Sequence, residues 1–132
     1  MVAACAVALA LAGCNPLDSA ELKREVESVG SYAAEGELLA SEVARDRTKA
    51  TFVRVHAEEL ASNADESAEK LNDADVATGL EGKAEQAIKL ASDTSAALGE
   101  LVVSPGDEQT GRSVQLELAH LSDEADKLSS SL

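Results

Sequence analysis

Residues 22–43 read LKREVESVGSYAAEGELLASEV, and the apolar or small side chains fall at Leu22, Val26, Val29, Ala33, Gly36, Ala40 and Val43. Steps that alternate between four and three keep one narrow stripe on a helix, the seam of helices packed at about +20°. The same stepping recurs downstream. It runs through Val53, Ala57, Leu60, Ala64, Ser67 and Leu71, then Leu80, Ala84, Ala87, Ala91, Thr94, Leu98 and Leu101. A last window carries Val114, Leu118, Leu121, Ala125, Leu128 and Leu132. Four such windows predict an all-α, antiparallel up-down-up-down four-helix bundle over residues 20–132. The expected helices cover about 20–45, 49–73, 79–103 and 105–130, each about 36 Å long at 1.5 Å per residue. No run has the alternation of a strand.

The breaks supply turn chemistry. Asp18 and Ser19 read as the first N-cap, and Thr48 as the cap after the polar turn Arg45-Asp46-Arg47. Ser104 is placed as the last N-cap, with Pro105 at the first helical position and Asp107 in the first turn. The seam is small in the middle, at Ala33, Gly36, Ala40, Ala84, Ala87 and Ala91, so the helices should approach closely instead of enclosing a ligand cavity. Burial energy should then sit toward the ends, at Phe52, Leu98, Leu101 and Val114, about 1.5–3 kcal/mol for each fully buried large side chain.

Composition agrees. The 132 residues include 25 alanines, two prolines and only two aromatics, Tyr32 and Phe52, the helical side of intrinsic propensity. One domain fits that length. With 25 Asp and Glu against 11 Lys and Arg the formal charge is -14, which excludes binding to a free phosphate backbone and so a nucleic-acid partner. Signatures of common chemistries are missing too: there is no glycine-rich phosphate loop, G-x-S-x-G elbow, H-E-x-x-H or C-x-x-C-H. A non-catalytic protein is expected.

Ahead of the bundle, residues 2–12 (VAACAVALALA) form an apolar run too short to span a bilayer. It has the length of a signal-peptide core and ends in Leu11-Ala12-Gly13-Cys14. This segment resembles the lipobox of bacterial lipoproteins at all four positions. The resemblance implies cleavage between Gly13 and Cys14, a diacylglycerol thioether on Cys14, and a chain held on the extracytoplasmic face of a bacterial membrane. Residues 1–13 are then the leader, and 14–19 the lipidated cysteine with a short tether. Two or more acyl chains would anchor it durably. Nothing charged precedes Asp18, and the expected reason is a start codon assigned too late or a fragmentary gene, with the basic start of the leader cut off. The competing reading is a buried N-terminal helix with Cys5 and Cys14 as core thiols. On the lipoprotein reading the mature chain keeps no free thiol, hence no disulfide and no thiolate ligand. The tether of residues 14–19 would reach only some 15–20 Å, so the body should stand almost on the membrane.

Charge placement suggests where a partner would meet it. In an up-down bundle the membrane-distal tip gathers Arg45, Arg47, Lys49, Arg54 and Arg112 among a similar number of acids. The proximal half sets five basic residues against thirteen acidic ones. Repulsion from anionic headgroups would stand such a body off the surface. The basic turn would then face an unknown envelope protein or wall polymer. Leu38 and Leu116 point away from their seams at similar heights, and would share an exposed patch if the first and last helices are neighbours.

Two further readings stay open. Glu117 and His120 have Glu-x-x-His spacing, and His56 and Glu59 the reverse, which is the ligand pattern of metal-binding bundles. The wheel, however, turns Glu117 and His120 away from the seam. Residues 34–40 and 52–57 also resemble the opening hairpin of exported ferritin-like proteins of unknown function, which supports a bundle more than an activity. The remaining alternative is an extracytoplasmic sensor accessory.

Overall fold

The computed structural model describes residues 15–132. The expected leader, with its expected cleavage between Gly13 and Cys14 and lipid site at Cys14, lies outside the described residues. Four helices follow one another: α1 (Ser19–Ala44), α2 (Ala50–Asp73), α3 (Glu81–Val103) and α4 (Glu108–Ser130). They pack as the expected four-helix bundle, with no strand among the described residues.

The bundle is not square. α1 lies closest to α4 and α2 closest to α3, while α1 also meets α3 across the diagonal; α2 and α4 do not touch. Glycines permit the first of these approaches. A Cβ on Gly30 would stand 2.9 Å from Ala125 Cβ, and one on Gly111 would stand 2.6 Å from Ala44 N and 3.0 Å from Ala40 O. At Gly36 it would meet Leu98 Cδ2 at 2.5 Å and Leu118 Cδ1 at 2.9 Å, where α1, α3 and α4 converge.

The core follows the seams. Every expected position on α1 and α2 is buried, as are those from Ala84 to Leu101 and from Val114 to Leu128. Leu80 and Leu132, at the helix ends, are only partly covered. Four helices pressed together unevenly bury more than one stripe each. Gly30, Leu39 and Ser41 of α1, Leu90 and Ala97 of α3, and Gly111 and Ser129 of α4 are buried as well.

Phe52 corrects an expectation. It is 58% exposed and contributes little to the core, where Val53 points inward instead. Its ring lies on the α1–α2 flank, where the two helices stand farther apart, and it stacks on His56 with centroids 5.6 Å apart.

Helix ends differ from expectation at two of the breaks. α1 starts as foreseen, with Asp18 and Glu21 forming a capping box. For α2 the N-cap is Lys49, not Thr48, and no side chain caps it. Ser104 closes α3 and does not open α4; Asp107 is the cap, accepting from Thr110 N at 2.8 Å. Ser104, Pro105 and Gly106 form the turn between them, so α4 begins at Glu108 and not at 105. Pro105 is buried there, used for its rigidity between the helices and not as a helix start.

Candidate functional site

Where a partner could bind follows from the two ends of the rod. At the α1–α2 end the chain turns through Arg45, Asp46 and Arg47. Asp46 takes φ +52, while Asp46 N donates to Val43 O at 3.1 Å and Arg47 N to Glu42 O at 2.9 Å. Those two bonds satisfy the last carbonyls of α1 in the manner of a Schellman motif, with aspartate where glycine is usual. The turn throws Arg45, Arg47 and Lys49 outward. All three are exposed, and among the described residues none forms an ion pair. Arg54, one turn into α2, donates from Nε to Val102 O at 3.4 Å and so leans toward α3. Arg112 is spent on Glu108, 3.5 Å away.

Uncovered apolar side chains gather in the same half. Among the described residues the large exposed hydrophobics are Leu38, Phe52, Val55, Val103 and Leu116. Leu38 and Val103 belong to the last turns of helices that end at this tip, and Phe52, Val55 and Leu116 to the early turns of helices that start there. Pairing of Gly36 with Leu118 sets the α1–α4 register, and that register puts Leu38 level with Leu116. Being 68% and 74% exposed on adjacent helices, the two leucines have the placement foreseen for them. Phe52, Val55 and Val103 join them without a sequence signal: hydrophobicity alone points Phe52 inward, and Val55 and Val103 lie off the seams.

The residues of the metal reading are not brought together. His56 Nε2 lies 2.8 Å from Glu35 Oε1 of α1, and His120 Nε2 lies 3.3 Å from Glu124 Oε1 on its own helix. They belong to α2 and α4, which make no contact, and Glu59 and Glu117 are exposed. No group of three or more His, Cys, Asp or Glu arranged to hold a metal occurs among the described residues.

Two concavities are open grooves at different heights along the α3–α4 seam. The larger, about 420 Å³, has Leu90 and Leu128 on its floor and Lys89, Asp93, Glu124 and Lys127 on its rim. Lys89 is paired with Asp93, whose hydrogen bond and charge raise the ammonium pKa. The second lies at the tip, between Ala96, Gly99, Val103 and Thr110. Neither converges the polar groups that a catalytic pocket requires.

The fold and this surface describe an all-helical bundle with an uneven distribution of exposed side chains. No known protein family, curated protein or solved structure matches the chain. Among the described residues no helix is long and apolar enough to cross a membrane.

Proposed function

We propose that this chain is a lipid-anchored protein of the bacterial cell envelope, a non-catalytic scaffold or binding module that presents its distal half to a partner. The anchor is the acylated sulfur of Cys14, in the sequence setting of a lipobox. The working surface is Arg45, Arg47, Lys49 and Arg54 with the leucines Leu38 and Leu116, joined by Phe52, Val55 and Val103. One observation carries the reading: among the described residues every large exposed hydrophobic lies in the half of the rod that ends at the basic turn of Arg45, Arg47 and Lys49, three cations with no ion pair. Exposed apolar side chains rimmed by unspent charge are what a protein-binding surface offers, since the apolar part supplies energy and the charge supplies selectivity.

The test uses the full chain with its native leader, expressed in a bacterial envelope. Photo-crosslinkers are placed at Lys49, at Leu38 and, as a control in the acidic half, at Glu69. The expected result is a common adduct from the first two positions and none from the third. Reversing charge at Arg45, Arg47 and Lys49 together should abolish it. Adducts that survive the reversal would remove the tip from the proposal. Stoichiometric metal in the purified protein, lost with His56→Ala and His120→Ala, would replace it by the metal-binding reading.

A further inference from the structure

The other end of the rod is held by contacts that a flexible tether would not need. Leu17, two residues past the first described one, is fixed to the α2–α3 loop by a parallel bridge to Val76. Leu17 N donates to Asp75 O at 2.7 Å and Ala77 N donates to Leu17 O at 3.1 Å. Asp18 begins the capping box immediately afterwards, and Ser19 Oγ donates to Leu132 O at 2.6 Å. Nothing between Leu17 and α1 is left free to swing.

This end face also differs in chemistry. Residues 76–80 read VATGL and residues 129–132 read SSSL, with no charged side chain in either stretch of a chain of formal charge -14. Leu17, Val76, Leu80 and Leu132 are only partly covered, each packed against the core from below. Thr78 and Gly79, at the apex of the loop, are exposed. Two charged groups from α3 reach the face: Glu81 Oε2 accepts from Gly79 N at 2.7 Å, and Lys83 Nζ donates to Ser131 O.

We propose that this face is a seat against a lipid headgroup surface, and that the clamp at Leu17 holds the bundle upright on it. The proposal rests on the lipid anchor at Cys14. Given that anchor, only Asn15 and Pro16 separate the lipidated residue from the clamp, a span of about 10 Å at full extension. So short a link brings the end that holds Leu17 against the headgroups and leaves the body no slack to lie on its flank. Acidic flanks oppose that posture as well, since anionic headgroups repel them. On the seat itself the Glu81 carboxylate at Gly79 is offset by the Lys83 ammonium at Ser131. A 26-residue α1 then carries the basic turn to about 39 Å above the seat. Such a protein is a post of fixed height, and its partner surface is displayed at one distance from the membrane.

The experiment takes the full chain, expressed with its leader, recovered from membranes and placed in phosphatidylcholine and phosphatidylglycerol vesicles. A fluorophore is attached in turn through Thr78→Cys at the seat, and through Lys49→Cys and Gln109→Cys at the tip. Lys49 and Gln109 belong to diagonally opposed helices, so any flank laid on the bilayer lowers at least one of them. Lipids carrying a headgroup nitroxide quench only what they touch. Thr78→Cys should lose most of its emission, while both tip labels keep theirs. Comparable quenching at the seat and at either tip position overturns the upright seat alone. A chain recovered unacylated in the soluble fraction overturns the anchor, and the seat with it.

Discussion

Gly111 and Gly99 show how differently one substitution acts at two glycines of this fold. Around Gly111 the nearest atoms are backbone, Ala44 N and Ala40 O, which cannot swing aside as a side-chain tip can. Gly111→Ala should therefore push α4 from α1 and cost about 2 kcal/mol, within the range for overpacked cores. Gly99 has nothing within 4 Å of its added carbon, so Gly99→Ala should stabilise by about 0.5–1 kcal/mol through helix propensity alone. Urea denaturation of both variants reads the difference; the same sign for both would mean that the close approach of α1 and α4 is not set by Gly111. A second residue behaves contrary to habit. The Thr94 hydroxyl is fully buried and among the described residues has no hydrogen-bond partner. Replacing it by the isosteric Thr94→Val removes an unpaid desolvation, and a gain of about 1 kcal/mol is expected. A loss would reveal a partner for that hydroxyl.

Helix ends set the predictions at the scale of the elements. α1 and α4 are capped by aspartates, whereas α2 begins at Lys49 with its first amides uncapped and no acid in its first turn. Lys49→Asp should add the missing cap and about 1 kcal/mol of stability, read as a raised Tm. The same change removes a cation from the proposed partner surface, so it should weaken partner binding while strengthening the fold. A variant improved in both respects would place the partner elsewhere. At α4, hydrogen bonds from the Thr110 hydroxyl and amide lower the Asp107 pKa. A depressed pKa stabilises the fold above the ordinary carboxylate value, and that contribution is lost as pH falls through the lowered one. Asp107→Asn keeps an acceptor but cannot titrate. Its Tm should fall less steeply than the wild type's from about pH 5 downward; parallel curves would mean that the cap contributes nothing to acid sensitivity. These ends also mark where sequence was readable. Seam positions such as Val53 to Leu71 follow from period alone, because each points into the core whatever the neighbour. Thr48 and Ser104 were assigned as caps from residue type. Which of several capping residues in a loop is used depends on where the chain enters its helix, a tertiary matter. Phe52 failed for a related reason: hydrophobicity does not say that α1 and α2 stand apart. Leu38 and Leu116 were legible, since a leucine opposite the seam can only face outward, whereas the clamp at Leu17 leaves no trace in periodicity.

Charge acts on the molecule as a whole. Five ion pairs occur among the described residues, all with at least one partner well exposed. Exposed pairs contribute about 0–1 kcal/mol each, and two of these need a protonated histidine. Against them stands a formal excess of fourteen negative charges spread over a bundle of four helices. Pair attractions act within 4 Å and are weakly screened at that range, whereas the excess repels over the whole rod. Salt should therefore remove more repulsion than attraction. The Debye length falls from about 30 Å at 0.01 M to about 8 Å at 0.15 M, so most of the gain should arrive in that interval. Tm is expected to rise across it by the same amount in sodium and potassium chloride, because screening depends on ionic strength and not on the cation. Neutralising acids in the crowded half with Glu66→Gln and Glu69→Gln should raise Tm at low salt and flatten the dependence. If Tm falls as salt is added, local pairs outweigh the excess, and the acidic half is a net source of stability instead of a burden on it.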